Sequence, residues 1–585
     1  MKIDTIRHSL SHILAASVQE LFSRVKFGIG PAIENGFYYD FALPSEALAK
    51  EGLSLTDLPK IEKKMREIIK QDIKFKKKIL SKEKARKIFK NQPYKLELIK
   101  EMPGKRVTIY ESGEFVDLCK GPHVKSTLQL RSGQAKEIID AFKLTKIAGA
   151  YWKGDERNPM LTRIYGVAFA TKKELDKYLN LQEEAEKRDH RILGKKLELF
   201  IFDEEVGAGL PIWLPKGAIL RHIIENYLFE ELNSQGYQWL VTPHIGRLSL
   251  WKTSGHWDFY RENIYSPIKI DEEEYLIKPM NCPFHIKIYQ SKIRSYKNLP
   301  IKFAELGTVY RYEKSGVLHG LTRVRGFTQD DAHIFCTPDQ LSKELVPILK
   351  YGLGILKTFG FKDYEIYLST RPKKFMGTLK MWQKATNSLK YACEKLKLKY
   401  RVDPEGGIFY GPKIDIKIKD SLGRSWQCST FQIDFNLPKA FNVFYIDKKG
   451  RKKEPILIHR ALLGSLERFI GVLLEHYAGA LPLWLSPIQV WVIPVGTRHK
   501  KYAEELKKEL VLVNTLRVDV KNENETVSKK IREGEIQKIP YMLVVGDKEI
   551  KAKSVRVRER KKGDIGQIKL DKFIERIKKE TKAKK

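Results

Sequence analysis

Between about residues 195 and 480, four segments rich in aromatic and β-branched residues read as neighbouring strands of one antiparallel sheet: YQWLVTP (237–243), EYLIKP (274–279), IKFAELGTVYRYE (301–313) and WQCSTFQIDF (426–435). Helical periodicity flanks them at LRHIIENYLFEELNSQ (220–235) and near GSLERFIGVLLEHY (464–477). The same region has no GxxxxGK[ST] and no convincing dinucleotide fingerprint. A nucleotide bound by this chain is therefore held on an antiparallel sheet rather than by a phosphate loop.

A chain of 585 residues exceeds what one hydrophobic core serves, so three or four domains are expected. The first region opens on a helix pattern (Ile6, Leu10, Leu14, Leu21). It then turns through Gly and Pro into the aromatic stretch VKFGIGPAIENGFYYDF (25–41). A lysine-rich stretch over about 60–89 reads as helical, and KRVTIY (105–110), EFVDLC (114–119) and TRIYGVAFA (162–170) read as strands. The charged segment 171–190 reads as a connecting helix. From about 486 a β-α-β-α-β rhythm runs from VWVIPVG (490–496) to YMLVVG (541–546), which indicates a three-layer α/β module. No internal repeats or coiled coil are present.

The charge balance points to a partner. With 109 Lys and Arg against 72 Asp and Glu, the formal charge is +37. Such an excess suits a polyanion, with a lysine-rich background composition as the competing account, and charge alone does not separate RNA from DNA. Five cysteines, odd in number and widely spaced, argue against a disulfide framework and fit a reducing cytosol. No run of eighteen apolar residues exists, and residues 1–22 read as an amphipathic helix rather than a signal peptide, so a cytoplasmic protein without a membrane span is expected.

Two constellations carry chemistry. His8 and His12 share one face of a helix, and Cys119 and His123 stand four apart around the turn formers Gly121 and Pro122. Four N/S groups of this kind suit zinc, and Asp117 beside them can orient a histidine or activate water; spacing does not separate a metal site from a metal-free hydrolytic pocket. In the second, Arg311 and Glu313 lie two apart in a strand pattern, and Arg323, Arg325 and Phe327 follow with the same period. Ser465 and Arg468 sit at the start of a helix. Arginines converging with an aromatic suit phosphate and base, whereas a cross-strand ion pair and a core aromatic explain each signal taken singly.

In sequence the residues resemble a known family. FAELGTVYRYE (303–313), GSLERF (464–469) and GYQWLVTPHI (236–245), with Pro243, are similar to motifs 2, 3 and 1 of the class II aminoacyl-tRNA synthetases. Within that class KPMNCPFH (278–285), LTRVRGFTQDDAHIFC (321–336), FYGPKIDI (409–416), WQCSTFQIDF and LIHRALLGSLERF (457–469) resemble threonyl-tRNA synthetases. HSLSHILAAS (8–17) and FVDLCKGPH (115–123) resemble that family's editing domain, and the likeness covers essentially the whole chain.

The resemblance implies a multidomain α+β and α/β protein: an α+β editing domain over 1–172 and a connecting helix over 173–194. A class II core, an antiparallel sheet flanked by helices, is implied over 195–482, and an α/β anticodon-binding domain over 483–585. It implies ATP-dependent ligation of L-threonine to tRNA(Thr) through an adenylate, with hydrolysis of mischarged seryl-tRNA(Thr). Cys282, His333 and His459, which no metal-spacing rule joins, become the ligands of one Zn2+ per subunit, and Mg2+ accompanies ATP. Arg311 is expected at the α-phosphate, Glu313 at the adenine amino group, Arg323 and Arg468 at the outer phosphates, and Phe327 on the base. Ser465 joins the nucleotide site; Gln329, Asp331, Tyr410, Lys413, Gln427 and Gln432 line the amino-acid and adenylate pocket, with Asp331 accepting from the ammonium. Cys336 is left as a core thiol.

By the same likeness His8, His12, Lys95, Asp117, Cys119 and His123 form the editing site, working by water activation and positioning rather than zinc. Glu549 and Arg558 contact the anticodon, and the class implies a homodimer. The family often carries a small ubiquitin-like domain ahead of the editing domain. Here HSLSH begins at residue 8, so that domain is expected to be missing with both activities retained. The competing readings are a sister prolyl or seryl enzyme, a non-catalytic RNA-binding regulator of synthetase descent, and a stand-alone metal-dependent hydrolase.

Overall fold

The computed structural model describes residues 3–22, 24–43, 53–127, 141–514 and 516–584. The chain divides into two compact units, Met1–Glu184 and Ala185–Lys585.

In the first unit the helix Ile3–Leu21 buries Ile6, Leu10, Leu14 and Val18 among Phe37, Tyr39 and Phe41 of the strand Gly36–Ala42. That strand pairs with Met160–Ala168, which pairs in turn with Phe142–Tyr151. The helix Leu58–Lys70 adds Ile61, Met65 and Ile68, spaced three and four apart, to the same core. The lysine-rich stretch over 60–89 is not one helix. It ends at Lys70 before the left-handed Asp72 (φ 52°), and Phe75–Ser81 then forms a strand against Arg106–Ser112, followed by the helix Lys82–Ile88. Phe75 turns inward while Lys76, Lys77 and Lys78 face solvent, and such lysines protect a sheet edge from further pairing.

The second unit is built on an eight-stranded sheet. Its spatial order is Gln238–Trp239, Ile301–Tyr310, Gly326–Cys336, Ile456–Ser465, Ser425–Asp434, Lys413–Lys419, Tyr364–Ser369, Arg401–Asp403. The six long strands pair antiparallel and the two short edge strands pair parallel to their neighbours. The four segments read from sequence are thus not neighbours in one antiparallel sheet. YQWLVTP supplies a parallel edge strand of two residues, EYLIKP belongs to a separate three-stranded sheet, and two strands stand between the other two segments. The strands that intervene come from residues 326–336 and 456–465.

Alternation along these strands separates two faces. Ala332, Ile334, Ile458, Leu462, Phe431, Ile433, Ile414 and Ile416 point into one core. It is covered by the helices Pro215–Ser234, Leu341–Thr358 and Leu379–Lys395 through residues such as Leu220, Ile348 and Leu389. The other face carries Phe327, Gln329, Asp331 and His333 on one strand, and His459, Gln432 and Lys413 on the next three in spatial order. Each buried Ile or Leu contributes about 1.5–3 kcal/mol, so a one-residue slip that exchanged the faces is strongly disfavoured. Between Gly326–Cys336 and Ile456–Ser465 the register shifts, with Gln329 opposite Ser465 but Asp331 opposite Ala461. The buried Asp330 carboxylate fills that irregularity, accepting from the N–H groups of Leu462, Leu463 and Gly464 at 2.7–3.0 Å.

The C-terminal part is a five-stranded sheet ordered Val518–Val520, Val490–Pro494, Tyr541–Val545, Ser554–Glu559, Gly563–Lys569, of which the first three run parallel. Val490 and Val492 face the helices Lys500–Asn514 and Leu570–Lys582, while Trp491 and Ile493 face Val527–Ile536, a three-layer α/β arrangement. Among the described residues no helix is long and apolar enough to cross a membrane, and all five cysteines are unpaired.

Candidate active site

The polar face of the large sheet floors a cavity of about 320 Å³. Arg311, Glu313, Arg323, Phe327, Gln329, Asp331, Tyr410, Lys413, Gln427, Gln432, Ser465 and Arg468 all line it, with Cys282, His333 and His459 at one end. Arg311 and Glu313 are not on a strand face as their spacing suggested. The strand ends at Tyr310, and both lie in the connection that follows. The Arg311 guanidinium stands 5.1 Å from the centroid of the Phe327 ring. Arg323 donates to Glu313 through Nε at 3.0 Å, and Arg468 donates through Nε to the Thr322 carbonyl at 3.0 Å. Arg325 instead turns away to the carbonyls of Glu313 and Ala208 and serves the loop, not the cavity.

Arg468 emerges from the first turn of the helix Leu466–Tyr477, which Ser465 caps by accepting the Arg468 N–H at 3.2 Å. Burial pulls the Arg468 guanidinium below its ordinary value, and Arg311 and Arg323 push it the same way. Three like charges held around one cavity suit a polyphosphate that neutralises them. Beyond them Lys413 and Gln427 share one anchor, with Lys413 Nζ 2.7 Å from Asp415 Oδ2 and Gln427 Nε2 donating to Asp415 Oδ1 at 2.9 Å. Tyr410 donates to Gln432 Oε1 at 2.5 Å and stacks on the His459 ring at 4.8 Å.

At the far end the donor atoms of Cys282, His333 and His459 all lie within 4.8 Å of one another, and all three residues are buried. His333 and His459 are directly opposite on paired strands, with His333 Nε2 and His459 Nδ1 2.9 Å apart. The other nitrogen of each is held from behind. His459 Nε2 meets Asp434 at 2.9 Å, and His333 Nδ1 meets His285 Nδ1 at 2.8 Å, whose Nε2 reaches Glu305 at 3.0 Å. Outer partners of this kind fix the tautomer and raise ligand basicity, so the set fits a tetrahedral soft metal with one position left open. Asn281 completes the wall, donating to Asp331 Oδ2 at 3.1 Å from a place above Gly307, where a Cβ would lie 2.4 Å from its amide. Cys336 is buried in the apolar core, as expected.

The first unit holds a separate pocket. Cys119 Sγ lies 3.3 Å from His8 Nε2 and 3.2 Å from His123 Nε2, and His12 completes a group of four donors within 4.8 Å. Burial lowers all three histidines, His123 to about 2, and raises the Cys119 thiol to about 11. Asp117 sits behind them, 3.5 Å from His12 Nε2, accepting from Tyr39 at 2.7 Å and ion-paired with the buried Lys95. Lys95 therefore meets the pocket through Asp117 rather than directly. At pH 7 the three imidazoles are neutral; both His123 nitrogens are engaged, by Ser9 and Cys119, whereas the buried His12 Nδ1 has no hydrogen-bond partner.

A third cluster, Asp189, His190 and Glu475, has both His190 nitrogens engaged by protein groups. In the C-terminal module Glu549 is buried and accepts the Gly546 N–H at 3.0 Å, while Arg558 lies 3.9 Å from Glu535. Asn281, His285, Glu305, Asp415 and Asp434 were not singled out in the sequence. Of these only His285 leaves a trace there, three residues after Cys282 on the same turn of the helix Cys282–Gln290.

A family model for the class II tRNA synthetase core domain (G, H, P, S and T) matches residues 265–477, and an anticodon binding domain model matches 489–580. A model for the second additional domain of threonyl and alanyl tRNA synthetases matches 107–165. The chain is 53% identical over 582 residues to a threonine–tRNA ligase of Sulfurihydrogenibium sp. (strain YO3AOP1), covering 98% of this chain and 88% of that one. Against a threonine–tRNA ligase of Aquifex aeolicus (strain VF5) the identity is 51% over 587 residues, covering 100% and 90%. A crystal structure of the RNA binding domain of threonyl-tRNA synthetase from Cryptosporidium parvum Iowa II superimposes with TM-score 0.65 at 41% identity, over 67% of this chain and 98% of that one.

Proposed function

The chain belongs to the threonyl-tRNA synthetase family, and from that premise we propose how its residues divide the work. The activity is ATP-dependent ligation of L-threonine to tRNA(Thr), with a domain for editing mischarged tRNA. We assign editing to 1–172, a connector to 173–194, where two helices, Lys172–Lys187 and His190–Lys196, replace the single helix expected, catalysis to 195–482 and anticodon binding, with Glu549 and Arg558 as contacts, to 483–585.

The single observation that carries the site assignment is the alternation along Gly326–Cys336, which aims Phe327, Gln329, Asp331 and His333 into one cavity. Phe327 stacks on adenine, Glu313 accepts from its amino group, and Arg311 meets the α-phosphate. Arg323 and Arg468, with Ser465 at the helix cap, hold the outer phosphates of ATP, which enters with Mg2+. Asp331, braced by Asn281, accepts from the threonine ammonium; Gln329, Tyr410 and Gln432 frame the amino acid. The threonine carboxylate attacks the α-phosphorus and pyrophosphate leaves, with Arg311, Lys413 and Gln427 stabilising the charge that develops. The terminal ribose hydroxyl of tRNA(Thr) then attacks the adenylate carbonyl and AMP leaves.

Cys282, His333 and His459 would hold one Zn2+, which supplies an open coordination position selective for an amino acid that carries a side-chain hydroxyl. Serine keeps that hydroxyl and lacks only a methyl, a difference of roughly 1–3 kcal/mol, so a second, hydrolytic selection is physically motivated. His8, His12, Cys119 and His123, with Asp117 and Lys95 behind them, provide it by positioning seryl-tRNA and activating water.

The double variant His8→Ala with His12→Ala tests both halves at once. Threonine-dependent exchange of pyrophosphate into ATP should persist, and seryl-tRNA(Thr) should accumulate; deacylation at the parent rate would refute the editing assignment. In the parent protein, deacylation should be level above the ordinary imidazole value of 6.5 and fall only at lower pH, because burial lowers the histidines and keeps them basic.

The class implies a homodimer, and exposed apolar groups beside the motif 1 region support it. Val241 is 95% exposed, with Ile245 and Phe229 about half exposed nearby in sequence or stacked on Trp239. Light scattering should return about twice the 68.0 kDa chain mass, and Val241→Asp should shift it toward one chain. A single-chain mass for the parent would dismiss the dimer.

A further inference from the structure

His190 lies outside the cavity, yet its hydrogen bonds lead into it. The imidazole is fully buried at the start of the short helix His190–Lys196. Its Nε2 accepts the Leu321 N–H at 2.9 Å, so that nitrogen carries no proton, and Nδ1–H donates to Glu475 Oε1 at 2.6 Å. Glu475 stands on the helix Leu466–Tyr477, which carries Arg468 in its first turn, and its second oxygen accepts from Arg424 at 2.5 Å. The loop passes so close over the ring that a Cβ on Gly320 (φ +46°) would lie 2.2 Å from His190 Nε2.

The next two residues of that loop do the work at the cavity. The Thr322 carbonyl accepts from Arg468 Nε, and Arg323 reaches Glu313. We propose that His190 is a positioning residue for ATP: it ties the 320–323 backbone to the Glu475 carboxylate and so sets the directions of Arg323 and Arg468, an inference that rests on reading those arginines as phosphate ligands. No such tie reaches Asp331, Tyr410, Gln432 or the three candidate zinc ligands, which sit on other strands and turns. The effect is therefore confined to the nucleotide.

Steady-state pyrophosphate exchange on the full chain, with ATP and threonine varied separately, tests this. His190→Ala should raise the KM for ATP about tenfold and leave the KM for threonine within about twofold. His190→Gln, which retains one donor and one acceptor, should recover most of the loss. Gly320→Ala leaves His190 on Glu475 but forces the loop away, and should reproduce the ATP effect if His190→Ala proves unstable. Parallel rises in both KM values, or a lower melting temperature with both unchanged, would overturn the proposal. Arg323→Ala serves as the reference. Should it leave the KM for ATP unchanged, the reading of the pocket itself fails; should it raise that KM while the His190 and Gly320 variants do not, only the positioning role fails.

Discussion

Arg311→Ala lowers threonine-dependent exchange of pyrophosphate into ATP by about 10³-fold, the scale on which losing one preorganised charge-stabilising group slows an acyl- or phosphoryl-transfer step. Arg311 is held from behind by the Pro279 carbonyl and lies against the Phe327 ring, so it costs little reorganisation when charge develops at the α-phosphate. Truncation removes the guanidinium from bonds to the Pro279 carbonyl and the Met280 sulfur, neither of them charged, while the nearby Glu313 keeps its pair with Arg323. Folding and metal content should therefore be preserved, which circular dichroism and metal analysis on the same sample would show. A loss under tenfold would mean that Arg311 does not face the reacting phosphate.

The second large effect is on selectivity. Cys282→Ala removes one of three converging donors, and metal analysis should fall from about one zinc per chain to near none. Discrimination of threonine over valine, about 10⁴-fold or more for a site that binds the hydroxyl, should then collapse together with threonine activation. His459 and His333 would remain in place, since Asp434, His285 and Glu305 anchor them independently of Cys282. Full zinc content in the variant, or unchanged rejection of valine, would refute the ligand assignment.

Much of this was legible in the sequence where chemistry and periodicity coincide. The residue types, arginines gathered near Phe327 and histidines at i, i+4, pointed to both sites although the period-two strand reading of Arg311, Arg323 and Arg325 did not hold, and the ordered motifs joined Cys282, His333 and His459 across 51 and 126 residues. What stayed hidden has physical causes. Asp434, Glu305 and Asp415 are each the single acidic residue of their strand, and only the folded sheet shows that each is a bond acceptor behind a site residue. The strand Phe75–Ser81 was masked by lysines that suit a helix face as well as a solvated edge. The parallel pairing of Gln238–Trp239 depends on a strand more than sixty residues away. His190 gave no signal, since its role lies in one backbone bond to a loop.

The run from Phe327 to His333 also behaves as a ruler. Six residues at about 3.3 Å each span roughly 20 Å, and the proposed base, amino-acid and metal-ligand positions are graduations along that single length. Inserting one residue between Gln329 and His333 would turn every graduation beyond it into the apolar core. Inserting two would restore the facing but lengthen the scale by about 7 Å, so that nucleotide and amino acid no longer meet. Evolution of a longer substrate in this scaffold is thus constrained to substitute marks on the scale, and length variation is left to the segments that the scale does not cross.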